Sequence, residues 1–427
     1  MNKNLEDIFS FDAIADDCVK CGKCIPVCTI HNVNADEVTS PRGFIDLLGA
    51  YKRGNLELDK TAKDIFESCF LCTNCVDVCP KALPTDMIIE QARNDIAKKF
   101  GIAWYKKAFF ALLRHRKLND IAFKLGYTFQ TCGFKIKEET SSMNSRFSLP
   151  ILKTERTLPS LSKTSFLNAH QENIDNGGKR KVAVFIGCLA NYNYTKIGDS
   201  LLEILEALEI DAFLAKDQKC CSAPAYFTGD FDTVDANAKH NIAYFESFSR
   251  DVEAIIVPEA TCSAMLKIDY EHYFHDDPAW RARAQSIQRK IFMATEWLQN
   301  HTELEQLLAS KKKDTKIVTY HDPCHARKMQ GIHEEPRNLI RQNYKIVEMS
   351  DPNACCGFGG VTMQSEKYHF AKAAGTPKAA MIEKTGADIV SAECSACRMQ
   401  INASMGYTDT KTVFKNPIEL IAEALRK

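Results

Sequence analysis

The 427-residue sequence carries no net charge, with 55 Lys and Arg balanced by 55 Asp and Glu. It therefore lacks the one-signed field expected of a nucleic-acid-binding protein. Long apolar runs are also missing. The longest, Ala108 to Leu113, falls far short of the roughly 20 residues a membrane-spanning helix needs. The opening stretch Met1-Asn2-Lys3-Asn4-Leu5-Glu6-Asp7 has an acidic start and no apolar segment, so it does not read as a secretory signal. The expected location is the cytoplasm. No Gly-x-Gly-x-x-Gly follows a strand pattern, and the glycines of Cys356-Gly357-Phe358-Gly359-Gly360 belong to a cysteine motif. A flavin or nicotinamide site on this chain is therefore not expected. Hydrophobic residues are not scarce: at 45% they exclude global disorder, and the length calls for two to four domains of about 100 to 200 residues.

What is abundant is cysteine. Eighteen cysteines in a reducing compartment require an explanation other than disulfides, and metal binding is the obvious one. Seventeen fall into four clusters. Cys132 stands alone and reads as a structural residue.

Two of the clusters are near-copies: Cys18-x-x-Cys21-x-x-Cys24-x-x-x-Cys28, and Cys69-x-x-Cys72-x-x-Cys75-x-x-x-Cys79-Pro80. Both match the bacterial ferredoxin run, in which three cysteines of one loop ligate three irons of a cubane and the fourth crosses to the other cluster. A thiolate at every third residue wraps one face of a cubane while the loop amides turn toward its sulfides. The expected ligand sets are Cys18, Cys21, Cys24 and Cys79 for one [4Fe-4S] cluster, and Cys69, Cys72, Cys75 and Cys28 for the other. Zinc sites typically use two separated Cys-x-x-Cys pairs, which these runs fit poorly. Between the runs, Ser40-Pro41-Arg42-Gly43 signals a turn and Phe44 to Leu48 a helix, giving a helical module larger than a minimal ferredoxin.

Residues 97 to 124 read as an amphipathic helix in which Phe100, Trp104, Phe109, Leu112 and Leu113 alternate with many cations and Asp120 is nearly the only acid. Such a helix lies on a membrane surface, docks to a partner or presents a solvated basic face. Residues 135 to 178 are polar, lack a period and read as a linker ending at Asn176-Gly177-Gly178.

Beyond that point the sequence repeats with an offset of about 135 residues. Lys181 to Cys188 corresponds to Lys316 to Cys324, Cys220-Cys221-Ser222 to Cys355-Cys356-Gly357, and Cys262-Ser-Ala-Met265 to Cys394-Ser-Ala-Cys397. Each unit opens with a short apolar run suited to a buried parallel strand, and its cysteines follow strands. Each is thus expected to be an α/β domain with its cysteines at the carboxyl ends of the sheet, where open sheets hold ligands.

One cysteine, about thirty residues, Cys-Cys-Gly, under forty residues, then Cys-x-x-Cys is a pattern that resembles the cysteine-rich CCG-domain family. That family includes the heterodisulfide reductase catalytic subunit and the iron-sulfur subunits of glycolate oxidase and anaerobic glycerol-3-phosphate dehydrogenase. The second unit satisfies the pattern with Cys324, Cys355, Cys356, Gly357, Cys394 and Cys397; the first departs at Ser222 and Met265. With the dicluster run in front, nearly the whole chain is similar to glycolate oxidase iron-sulfur subunits. The resemblance implies a multidomain α/β protein: a helical dicluster ferredoxin-like module (1–96), a basic helical segment and linker (97–178), a degenerate first CCG domain (179–310) and a complete second one (311–427). It further implies an unusual [4Fe-4S] arrangement on the five thiolates of the second domain. The first domain keeps Cys188, Cys220, Cys221 and Cys262, enough for a cubane or for zinc, and a metal-free relic is the third possibility. Met265 is a poor ligand and is expected to pack. His321 and His325 flank Cys324, but loop histidines beside a ligand cysteine more often only hydrogen-bond, so neither is counted as a ligand.

Cluster sulfur alone does not remove a hydride from an alcohol, so a substrate-oxidising centre is expected on a partner flavoprotein. The leading expectation is an electron-transfer subunit of a flavin-dependent 2-hydroxy-acid dehydrogenase for glycolate or lactate, passing electrons toward quinone, with peripheral attachment to the inner face of the cytoplasmic membrane as an option. A glycerol-3-phosphate dehydrogenase subunit is a sibling reading, and a heterodisulfide-reductase-like thiol-disulfide reductase is a reading of another class. A cluster-holding scaffold or redox sensor is the third.

Overall fold

A computed structural model describes residues 11–148, 154 and 156–427. The opening stretch read for signal character lies outside these residues, as do positions 149–153 and 155 of the segment expected to be a linker. Among the described residues, no helix is long and apolar enough to cross a membrane.

The chain divides into two compact units. The first collects the chain up to Ala111 together with Ser222–Asp235 and Cys355–Gly375; the second holds Leu112–Cys221, Ala236–Ala354 and Thr376–Lys427. The first unit is helical. Helix α1 (Pro41–Lys52) starts where the sequence signals it: the Ser40 hydroxyl accepts from the Gly43 amide and Pro41 occupies the first turn, where its missing N–H costs nothing. Helix α2 (Thr85–Phe100) packs Ile88, Ile89 and Ala92 against Phe44, Leu48 and Phe66. Met363 and Ala371 from the third stretch join the same core.

The single basic helix expected over 97–124 is instead the end of α2 followed by two further helices, α3 (Trp104–Arg114) and α4 (Arg116–Gly133). Gly101 ends α2 at φ 75°, the left-handed conformation that glycine adopts without penalty, and His115, at φ −121° and ψ 86°, interrupts the path before α4. The described parts of the segment expected as a linker hold strands. Strands β1 (Phe134–Lys137), β2 (Ser142–Ser145) and β3 (Thr157–Pro159) form an antiparallel sheet, and β4 (Asn173–Ile174) pairs onto the next one.

The two repeats share one topology. In the first, β5 (Arg180–Val184), β6 (Ile210–Leu214), β7 (Ile255–Val257) and β8 (Ile291–Met293) are parallel in the order β6-β5-β7-β8, with β4 antiparallel at the edge. In the second, β9 (Ile317–Tyr320), β10 (Lys345–Ile346), β11 (Ile389–Ser391) and β12 (Val413–Lys415) run parallel in the matching order β10-β9-β11-β12. The protein is a multidomain α/β chain, as the sequence indicates. One core joins Val182, Val184 and Ile256 of the first sheet to Val318, Ile389 and Ile421 of the second repeat. The order in which strands are added reverses at β5 and at β9, which makes the carboxyl ends of β5/β7 and β9/β11 switch points where such sheets bind ligands.

Candidate metal centres

Each ferredoxin-like run forms a loop with the same backbone signature. Lys20 (φ 53°) and Gly22 (φ 77°) flank Cys21, and Leu71 (φ 50°) and Thr73 (φ 56°) flank Cys72. A left-handed conformation costs a non-glycine residue about 1–2 kcal/mol, and the alternation it creates turns successive N–H groups into a concave anion-binding array. The Leu71 amide donates to Cys69 Sγ at 3.4 Å, and Thr29, standing where the second run has Pro80, places its hydroxyl 3.3 Å from Cys72 Sγ.

The eight thiols of the two runs gather around two cavities. One is lined by Cys28, Cys69, Cys72 and Cys75. The other is lined by Cys18, Cys21, Cys24 and Cys79, with Cys75 also at its wall. Burial pushes the Cys28 and Cys69 thiols up to about 12, raises Cys75 well above its ordinary value and raises Cys24. As thiolates these groups need a positive partner, which iron supplies. Four thiols at one cavity and five at the other, the Leu71 amide on Cys69 Sγ and loops with left-handed residues fit a cubane at each place.

In the first repeat the four cysteines lie just past strand ends in the second unit. Cys221 Sγ is 3.4 Å from Cys262 Sγ, and Cys188 is hydrogen-bonded to Cys220, a contact that together with burial raises its thiol well above the usual range. Cys262 is held down by its bond with Cys221, yet burial and the neighbouring Cys188 bring it to about 11. A Cβ on Gly187 would stand 2.8 Å from Cys262 Sγ, so glycine there lets the two strand-end loops approach. Cys188 and Cys220 open on a cavity also lined by Arg116, Asn119, Tyr192 and Gln218. Met265 is fully buried and begins a π-helical turn, Met265–Asp269. The second departure from the pattern, Ser222, is fully buried at φ 74°; its counterpart Gly357 sits at φ 88°, where a Cβ would meet Gly375 N at 2.8 Å. The serine thus keeps the conformation that glycine adopts at no cost.

In the second repeat, Cys324, Cys394 and Cys397 belong to the second unit and Cys355 and Cys356 to the first. Cys394 caps the helix Ser395–Met405. Hydrogen bonding from the Cys397 thiol, reinforced by the Cys397 amide and the Thr261 hydroxyl, overcomes its burial and lowers it to about 7. The Gly357 amide donates to Cys355 Sγ at 3.3 Å. Cys324 Sγ stands 3.4 Å from His325 Nδ1. Cys132 is exposed on α4.

Several contributors escaped the sequence reading, and His321 was set aside by it. Buried Glu259 accepts from the Ser395 amide at 2.8 Å and from its hydroxyl, and buried Glu393 accepts from the Thr295 hydroxyl at 2.8 Å, so each carboxylate ties one repeat to the other. Arg93 is buried and donates to the carbonyls of Phe66, Cys69 and Phe227. His321 is buried one residue past β9. Its only signal was its place in His321-Asp322-Pro323-Cys324.

Comparison with known families finds two kinds of domain in the chain. A 4Fe-4S dicluster domain matches residues 14–83, and a cysteine-rich domain matches residues 182–267 and again 318–402. The matches define an iron-sulfur protein in which one dicluster domain precedes two cysteine-rich domains. The chain is 30% identical over 355 residues to the "Probable glycolate oxidase iron-sulfur subunit" of Bacillus subtilis (strain 168), covering 81% of this chain and 79% of that one. It is 28% identical to an iron-sulfur protein of Methanococcus maripaludis over 91% of this chain and 67% of the relative. It is 31% identical to "Lactate utilization protein A" of Bacillus velezensis over 54% of this chain and 93% of the relative. The chain belongs to the family of glycolate oxidase iron-sulfur subunits.

Proposed function

We propose that this chain is the electron-transfer subunit of a flavin-dependent 2-hydroxy-acid dehydrogenase complex, taking electrons from a flavoprotein that oxidises glycolate or lactate and passing them toward quinone. The observation that carries the reading is the sorting of eight N-terminal cysteines around two cavities, with the fourth cysteine of each run lining the cavity of the other. On this reading Cys18, Cys21, Cys24 and Cys79 hold one [4Fe-4S] cluster and Cys28, Cys69, Cys72 and Cys75 the second. A further iron-sulfur centre belongs to Cys324, Cys355, Cys356, Cys394 and Cys397, and the four thiols of Cys188, Cys220, Cys221 and Cys262 are a separate metal site. When bound, such clusters accept and release single electrons, which splits the two-electron output of a flavin. The protein's part is to bury the thiolates, aim loop amides at them and keep water away. The names of the relatives support assembly with other subunits.

On this reading the complex attaches peripherally to the inner face of the cytoplasmic membrane. Support comes from α4, whose outer face exposes Leu118, Ile121 and Leu125 by 56% each and Phe129 by 63%, beside Lys117 and Lys124.

The test uses the tagged full chain purified anaerobically with whatever it retains. Flavin should copurify, and addition of glycolate or lactate should bleach the visible absorbance of the clusters and reduce a quinone analogue. Exchange of Cys355 and Cys356 together for serine should abolish quinone reduction while the N-terminal clusters keep their spectra. Quinone reduction at the parental rate in that variant contradicts a role for the second cysteine-rich domain in the path.

A further inference from the structure

His321 is 1% exposed, and its two ring nitrogens have different surroundings. Nδ1 lies 3.2 Å from the Pro352 carbonyl, an acceptor with no proton to give, so Nδ1 carries the hydrogen. Nε2 is then the lone-pair nitrogen of a neutral imidazole, and among the described residues it is buried without a hydrogen-bond partner. A buried acceptor left unsatisfied costs about 1–3 kcal/mol, and such groups in native proteins call for a cause.

With Nδ1–H engaged by the Pro352 carbonyl, the neutral ring presents Nε2 as an acceptor and not as a donor to a cluster sulfide. It can only accept, from a Lewis acid or a water.

Among the described residues of the second unit, a ring nitrogen of His321 and Cys397 Sγ lie within 4.8 Å of each other. Strand register separates the two repeats at this point. Val184 faces Ile256 and Thr319 faces Val390, so the residue two places on is Ile186 in the four-thiol repeat and His321 in the five-thiol repeat. A backbone carbonyl that fixes the tautomer and aim of an imidazole is the outer-shell arrangement found behind ligating histidines.

We propose that His321 Nε2 is an additional ligand to the iron-sulfur centre of the second cysteine-rich domain, bonded to one of its irons. The proposal rests on the reading that this domain holds iron. Its Nδ1–H bond to Pro352 holds the ring in place, and Ile186 denies the first repeat the same donor.

The measurement is pulsed electron-nuclear spectroscopy on the anaerobic, reduced full chain, grown with and without 15N-histidine. The signal of this centre is identified as the one lost when Cys355 and Cys356 are both serine. It should carry the strong hyperfine coupling of a directly bound imidazole nitrogen and change on 15N-histidine labelling. The coupling should vanish in His321→Ala and His321→Gln and persist in His325→Ala. An iron signal at this centre with no histidine coupling overturns the ligand and leaves the reading of an iron site standing, as does coupling that survives in His321→Gln. Absence of any iron signal that depends on Cys355 and Cys356 overturns both. Where a variant fails to fold, the unmutated labelled protein keeps the proposal falsifiable, since the absence of 15N-histidine coupling from every iron signal overturns it.

Discussion

Arg93 shows how much one side chain can matter. It is 2% exposed and spends its donors on carbonyls: Phe66 at 3.3 and 3.2 Å, Cys69 at 2.7 Å and Phe227 at 2.8 Å. Burial lowers its pKa, with Cys69 the largest opposing influence, yet a guanidinium keeps its proton in proteins. A permanent buried cation therefore sits at the backbone of a proposed cluster ligand, where it favours the more negative, reduced state. A unit charge a few ångströms away at an effective dielectric near 20 is worth on the order of 2–3 kcal/mol, on the order of 100 mV for a one-electron couple. Arg93→Gln should lower the midpoint potential of the cluster at Cys28, Cys69, Cys72 and Cys75, and Arg93→Lys should restore much of it. The cluster at Cys18, Cys21, Cys24 and Cys79 serves as the internal control in a redox titration followed by electron paramagnetic resonance. Unmoved potentials in a folded variant would leave Arg93 a purely structural role. No sequence signal marked this residue, because a lone arginine in a helix differs from a surface one only by what the fold lays over it.

At the scale of the element, α4 is amphipathic in an unusual sense. Its inner face is satisfied: Phe123 stacks on Tyr192 at 4.1 Å, Asp120 accepts from the Tyr192 hydroxyl at 2.6 Å and Gln130 donates to the Leu161 carbonyl at 3.2 Å. The outer stripe Leu118, Ile121, Leu125 and Phe129 follows the three-and-four spacing of one helix face yet is exposed. Ten cations and the single acid Asp120 lie between Lys98 and Lys137, a composition suited to an anionic lipid surface. Cosedimentation with anionic vesicles should occur at low salt and weaken as salt screens the charges. Replacing Leu125 and Phe129 together with glutamate should reduce binding at least about tenfold, since each apolar side chain is worth about 1.5–3 kcal/mol when buried. Parental binding by that variant would remove α4 from the membrane. The sequence revealed the basic amphipathic character of this region, but not its break into separate helices. That break lies in the conformations of Gly101 and His115, which compete with an otherwise helical pattern. The antiparallel β1-β2-β3 sheet was illegible for another reason: its strands are three or four residues long, too short for an alternation such as Phe134-Lys135-Ile136-Lys137 to stand out.

Across the whole molecule, the legible features were those that chemistry repeats. Cysteine spacing revealed the dicluster module, and the offset between Cys188 and Cys324 revealed the duplicated sheets, whose strand orders β6-β5-β7-β8 and β10-β9-β11-β12 coincide. Residues that act singly, such as Arg93, Glu259 and Glu393, were hidden because their placement depends on burial, while His321, visible beside Cys324, was set aside as a hydrogen-bonding residue. The central claim is that this is an iron-sulfur electron carrier, and the most direct test is its metal content. The full chain, purified anaerobically and reconstituted with iron and sulfide, should hold about eight irons or more and, on reduction, give the paramagnetic signature of two interacting cubanes. Cys72→Ser should remove one of them and spare the other. Stoichiometric zinc without iron, or a Cys72→Ser protein with both cubane signals intact, would contradict the account.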